Sequence, residues 1–149
     1  MDSLDFIGYL RQYCLDNKIY FAASEEHYVN YTADEKLYNK YDMILCYDCT
    51  FSPMFGENGI ESVIYNGNIA LGRKREECTE SNLDELFLQK YDNRLKELTK
   101  ILLNILEEFV CESEIDVNRC DISYKLNAYD INIDFVVANV SLSIPYLTE

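Results

Sequence analysis

Histidine occurs once in the 149 residues, at His27. That scarcity closes metal sites and acid–base schemes that need two imidazoles, and no local motif sets a cysteine or serine nucleophile beside it; His27 is expected at the surface. Prolines number two and glycines five, too few for a disordered or collagen-like chain, and no glycine-rich phosphate loop is present. No apolar run approaches the ~20 residues needed to span a bilayer. Met1-Asp2-Ser3 leads straight into a helical pattern without the basic-then-apolar start of a secretory leader. The expectation is a soluble chain made in the cytoplasm, with reduced thiols. Positive charge is also short: 13 Lys and Arg stand against 27 Asp and Glu, a net charge of −14. Such a chain repels nucleic-acid phosphate and anionic lipid, so its expected partners are basic patches, metal ions or further copies of itself.

What is present centres on one stretch. From Leu83 to Cys111 apolar residues recur at steps of three and four, through Leu86/Phe87, Tyr91, Leu95, Leu98, Ile101/Leu102, Ile105/Leu106 and Phe109/Val110. That spacing predicts one helix roughly 40 Å long with a wide apolar stripe, which needs a sheet to cover it. Residues 2 to 18 predict a first helix, capped by Asp2 or Ser3, with Phe6/Ile7, Leu10 and Tyr13/Cys14 on its apolar face. A short strand follows over Ile19–Ala23, then a polar, tyrosine-dotted excursion over 24–40, where a capping box from Thr32 to Glu35 allows a helical turn or two.

Tyr41 to Phe51 reads as a strand, and Ser52 to Gly59 as a loop. Ile60 to Gly72 reads as a hairpin turning at Asn66-Gly67, or as one bent strand with a glycine bulge. After the long helix, a polar loop to Arg119 precedes two alternating strands, Cys120 to Ala128 and Val136 to Ile144, with Tyr129 to Asp134 as the turn between them. The sum is a single α+β domain over 1–149, with a mainly antiparallel sheet packed against one long helix and an N-terminal helix. Loops are expected to project at about 24–40 and 52–59.

No catalytic constellation emerges. Cys46 and Cys49 form a CxxC, but in a strand residues three apart point to opposite faces, so they are read as buried or half-buried thiols rather than metal ligands or a redox pair. Asp130, Asn132 and Asp134 have the alternation that opens a calcium loop, yet Phe135 stands at the sixth position and Ser141 at the twelfth, which excludes an EF-hand. Adjacent carboxylates are expected by chance among 27 acids. No cofactor and no catalytic or metal residue is assigned.

Thirteen tyrosines suit protein interfaces, or they reflect an AT-rich coding bias without purpose. The one basic cluster, Arg73-Lys74-Arg75, either docks on the acidic surface of a neighbouring copy or is solvated. The interface candidates are Tyr28, Tyr31, Tyr38, Phe55, Arg73, Lys74 and Arg75.

Leu71-Gly72-Arg73-Lys74 after a strand, a long helix from Leu83, and a strand pair ending in the alternating Val136 to Ile144 run resemble the small neck and tail-terminator proteins of tailed bacteriophages. The likeness is one of size, element order and texture over about residues 41 to 146. It implies a sheet flanked by helices and a non-enzymatic virion protein that closes into a homo-oligomeric ring, a hexamer or dodecamer, at the head-to-tail joint or tail end. Other neck or tail proteins would be its neighbours, and DNA would pass without being gripped. A channel lined with acids suits that task, because phosphate is repelled from it. The alternative from another class is an acidic binding module or DNA mimic that occupies a basic groove of its partner.

Overall fold

The computed structural model describes residues 4–23, 40–74, 83–112, 115–128 and 133–146. In chain order these form α1 (Phe6–Asp16), β1 (Ile19–Ala22), β2 (Met43–Gly56), β3 (Gly59–Lys74), α2 (Leu83–Lys90), a π-helical turn (Tyr91–Leu95), α3 (Lys96–Glu112), β4 (Asp116–Ala128) and β5 (Ile133–Pro145). The architecture is α+β. Its five strands lie in the order β1-β2-β3-β5-β4. The sheet is mixed rather than purely antiparallel: β1 pairs parallel with β2, and the remaining neighbours are antiparallel. Alternation in sequence marks a strand but carries no direction, so the parallel edge was not legible from it. Among the described residues no helix is long and apolar enough to cross a membrane.

Each element forms for a local reason. In α1, Phe6, Leu10 and Cys14 fall at four-residue steps on one face, and all three are buried. Its end is closed by Asn17, whose backbone N–H and side-chain Nδ2 both donate to the Tyr13 carbonyl, at 3.1 and 2.9 Å. Lys18 then turns the chain with φ 54°, the left-handed step that commonly ends a helix. The expected caps Asp2 and Ser3 lie outside the described residues. The expected single helix is one helical run in three segments, because the π turn interrupts it.

The helices lie on one face of the sheet. Phe6 sits where they meet it, with its ring 4.5 Å from Phe109 of α3, 5.2 Å from Tyr65 of β3 and 6.1 Å from Tyr47 of β2. Fully burying that ring contributes about 2–3 kcal/mol. Beneath α3, β5 offers Val136, Ala138, Val140, Leu142 and Ile144, all buried. The opposite face divides in two. Near β1 it is apolar, with Ala22, Ile44, Ile133 and Phe135 buried together; further along it turns polar, and Asn139 Nδ2 donates to Asn68 Oδ1 across the sheet at 3.0 Å. Gly72 makes room for this second cluster, since a Cβ there would stand 2.5 Å from the Phe135 ring.

Three sequence expectations are corrected. The 52–59 stretch is not a loop: β2 continues through Gly56, turns at Glu57-Asn58 and returns from Gly59 as β3. Asn66-Gly67 is not a hairpin turn, since β3 runs through it as one strand paired on both sides, with Gly67 at φ 148°. Asp116 to Arg119 of the expected polar loop and the last two residues of the expected 129–134 turn are strand as well, because β4 begins at Asp116 and β5 at Ile133. Tertiary pairing overrides the weak local signals of Pro53 and the glycines. Pro53 is tolerated because β2 at that point is an outer strand among the described residues. The expected 24–40 excursion lies outside the described residues except for Lys40.

Candidate functional site

The buried polar chemistry gathers where the helical run changes pitch. Lys90, the last residue of α2, and Asp134, the second residue of β5, are each about 1% exposed, and Lys90 Nζ donates to Asp134 Oδ1 at 2.9 Å. In an α-helix residues five apart stand about 140° from one another around the axis. The wider π turn brings Lys90 and Leu95 onto one side, so that both are buried. Thr99 Oγ1 donates to the Leu95 carbonyl at 2.6 Å just beyond it. Phe87, Tyr91 and Tyr124 close the outer side as a three-ring cluster, with centroids 5.8 to 6.1 Å apart.

Arg73 stands opposite Asp134 on the neighbouring strand. Its Nε lies 3.2 Å from Asp42 Oδ2 and its Nη1 3.6 Å from Glu97 Oε2. The Nε contact lacks hydrogen-bond alignment and acts as an ion pair. Arg73 thus ties the entry of β2 to the first turn of α3. These groups neutralise one another, and the Lys90 amine is closed to solvent, so the cluster holds the helical run to the sheet rather than meeting a ligand.

The thiols are similarly quiet. Cys46 packs with the cluster around Ile44, while Cys49 packs with the main core on the other face, as strand geometry requires. Cys49 Sγ lies 3.7 Å from the Asn68 carbonyl, to which it donates. Burial pushes the thiols of Cys14, Cys46 and Cys49 up to about 12, so none is a nucleophile near neutrality. Burial also raises Tyr47, with the neighbouring Cys49 and Tyr65 adding to it. Among the described residues no group of three or more histidine, cysteine, aspartate or glutamate side chains is gathered as a metal site would need.

Among the described residues, exposed apolar side chains gather in several places, Leu103 and Val117 between α3 and β4 included, and two of these places stand out. The first is the far end of the β2–β3 hairpin. Among the described residues β5 lies beside β3 from Lys74 to Ser62 and Tyr146 N–H donates to the Glu61 carbonyl at 2.9 Å, while the hairpin turns just beyond, at Glu57-Asn58. Phe51, Met54 and Phe55 are exposed there, Phe55 at 74%. The second is the outer face of α1, where Ile7 and Leu15 stand exposed beside Arg11 at one wall of a groove of about 500 Å³. β1 and Tyr41 form the other wall.

Of the residues expected at an interface, Phe55 is at the hairpin tip, half-buried Arg73 is engaged in ion pairs with its own chain, and half-buried Lys74 ends β3 opposite Ile133. Tyr28, Tyr31, Tyr38 and Arg75 lie outside the described residues. The structure does not bring Phe55 and Arg73 together: they sit at opposite ends of the hairpin. Sequence reasoning missed Arg11 and Lys90. Lys90 had a usable signal, since it falls three residues after Phe87 and beside the apolar stripe of a predicted helix. No family model, curated protein or solved structure matches the chain.

Proposed function

We propose that this chain is a non-enzymatic assembly subunit, a ring-forming virion protein of the kind that closes the neck or tail end of tailed bacteriophages. The observation that carries the reading is the end of the two-stranded β2–β3 arm, where among the described residues no strand pairs the outer edge of β2 beyond Cys46 and Phe51, Met54 and Phe55 stand in solvent. Exposed aromatic and methionine side chains grouped at the end of an arm suit a protein contact. The interior supports the same reading, because its charged groups are spent on each other and its thiols are held protonated. A net charge of −14 suits a channel that must let DNA pass without adhering.

Light scattering across a wide concentration range, followed by electron microscopy of the species formed, tests the proposal. A closed ring with a central channel is the expected result. A chain that stays monomeric at every concentration, with or without the other virion proteins of its particle, would sink it. Capture by a basic protein groove would then favour the acidic-mimic alternative.

A further inference from the structure

We propose that the tip of the β2–β3 hairpin seats in the groove between α1 and β1 of a second copy of this chain, as a head-to-tail contact. The inference rests on the assembly reading above and names its contact. The tip is both apolar and acidic: Phe51, Met54 and Phe55 are exposed, and Glu57 and Glu61 stand exposed beside them. Two grooves among the described residues bear on where such a tip could seat. One, of about 210 Å³, lies between α3 and β4, with Leu103 and Val117 on its walls and Glu107 at its rim. A glutamate there repels an acidic tip. The other, of about 500 Å³, lies between α1 and β1, with Ile7, Leu15 and Phe21 lining it and Arg11 set among them. Arg11 is exposed and makes no ion pair among the described residues. An exposed arginine in an apolar groove, on a chain of charge −14, is where an acidic, aromatic segment is drawn and held.

Position makes the contact intermolecular. Tyr41 of the groove stands two residues before the start of β2, and Phe55 lies near its far end. At ~3.3 Å per residue these are roughly 45 Å apart along an extended strand. A tip cannot reach its own groove, so the contact lies between copies, and on this proposal the tip and the groove of each copy go to different neighbours. Such a contact is heterologous, and it closes into a ring or runs on as a filament.

The test uses Phe55→Ser, which removes the tip's anchor, and Arg11→Glu, which reverses the charge of the groove, followed by sedimentation velocity beside the wild type. Both side chains are exposed, so thermal unfolding, measured at a dilution where the wild type is monomeric, should be unchanged, which separates lost contact from lost fold. Phe55→Ser is expected to weaken association roughly thirtyfold, and Arg11→Glu about tenfold or more. Mixed together, the two variants retain one intact contact, the Arg11→Glu tip in the Phe55→Ser groove, and should form heterodimers and nothing larger. Combining Arg11→Glu with Glu57→Arg and Glu61→Arg should restore assembly.

If the wild type assembles and both single variants assemble equally well, this contact is wrong while the assembly reading stands. If both variants are monomeric but their mixture forms no dimer, the contact is not head-to-tail and the proposal is overturned. A wild type that never assembles overturns both.

Discussion

Lys90→Met leaves the Asp134 carboxylate buried without the ammonium it meets at 2.9 Å. Both side chains are only 1–2% exposed, so water cannot replace the lost partner, and the expected loss is about 3–5 kcal/mol. For a domain whose whole stability is about 5–15 kcal/mol, that is a large fraction. At a urea slope of about 2 kcal/mol per molar it moves the unfolding midpoint down by about 2 M. Asp134→Leu should cost a similar amount by stranding the lysine. The double variant Lys90→Met/Asp134→Leu fills the same space with apolar groups and should return to within about 1 kcal/mol of the wild type, or exceed it. Urea titration followed by far-ultraviolet circular dichroism reads all four proteins. Single losses below about 1 kcal/mol would mean that the pair is hydrated in solution. A double variant as unstable as the worse single would mean that the site needs these particular shapes, not their charges; either result refutes the reasoning.

Phe6→Ala removes the ring shared by α1, α3 and both hairpin strands and should cost about 3–5 kcal/mol in the same titration. Gly67→Ala forces a side chain onto φ 148° with its Cβ 2.7 Å from the Cys49 Cα. The β2 backbone would have to shift, and a loss of at least about 2 kcal/mol is expected; a neutral variant would show that β3 is not threaded as described. Burial pushes the thiols of Cys14 and of half-buried Cys46 and Cys49 up from an ordinary 9.0 to about 12. Protonated thiols therefore favour the fold fully below pH ~9, and that contribution is lost as pH rises through about 12. Unfolding midpoints measured between pH 8 and 11 should fall with rising pH, and a flat profile would refute the burial. At pH 8, iodoacetamide should modify exposed Cys111 before these three, and buried Cys14 only as the chain opens.

The elements with strong periods were legible: α1, the long helical run and β5 stand close to where the spacing of their apolar residues put them. Asp134 shows the limit. In sequence it belongs to a polar D-x-N-x-D turn signal, yet in the fold it is a strand residue facing the helices, because Lys90 arrives from 44 positions away to pair with it. Neither half of a buried ion pair announces itself alone. Arg73 repeats the lesson: it reads as part of an exposed basic run, whereas Asp42 before it and Glu97 after it draw it inward.

The candidate surface was legible in composition but not in form. Ser52 to Gly59 holds a proline and two glycines, which is loop chemistry, and its aromatic residue marked it for contact. What the local signal lacks is strand length. β2 and β3 run 14 and 16 residues while β1 has only 4, so among the described residues no strand covers the outer edge of β2 beyond Cys46, and the hairpin end keeps its side chains in solvent. Whether an apolar residue is core or contact is decided by that mismatch between paired lengths. Tyr65 and Phe55 are both aromatic and both in the hairpin; Tyr65 is 1% exposed beneath Phe6, and Phe55 is 74% exposed, because one lies within the reach of α1 and β5 and the other beyond it.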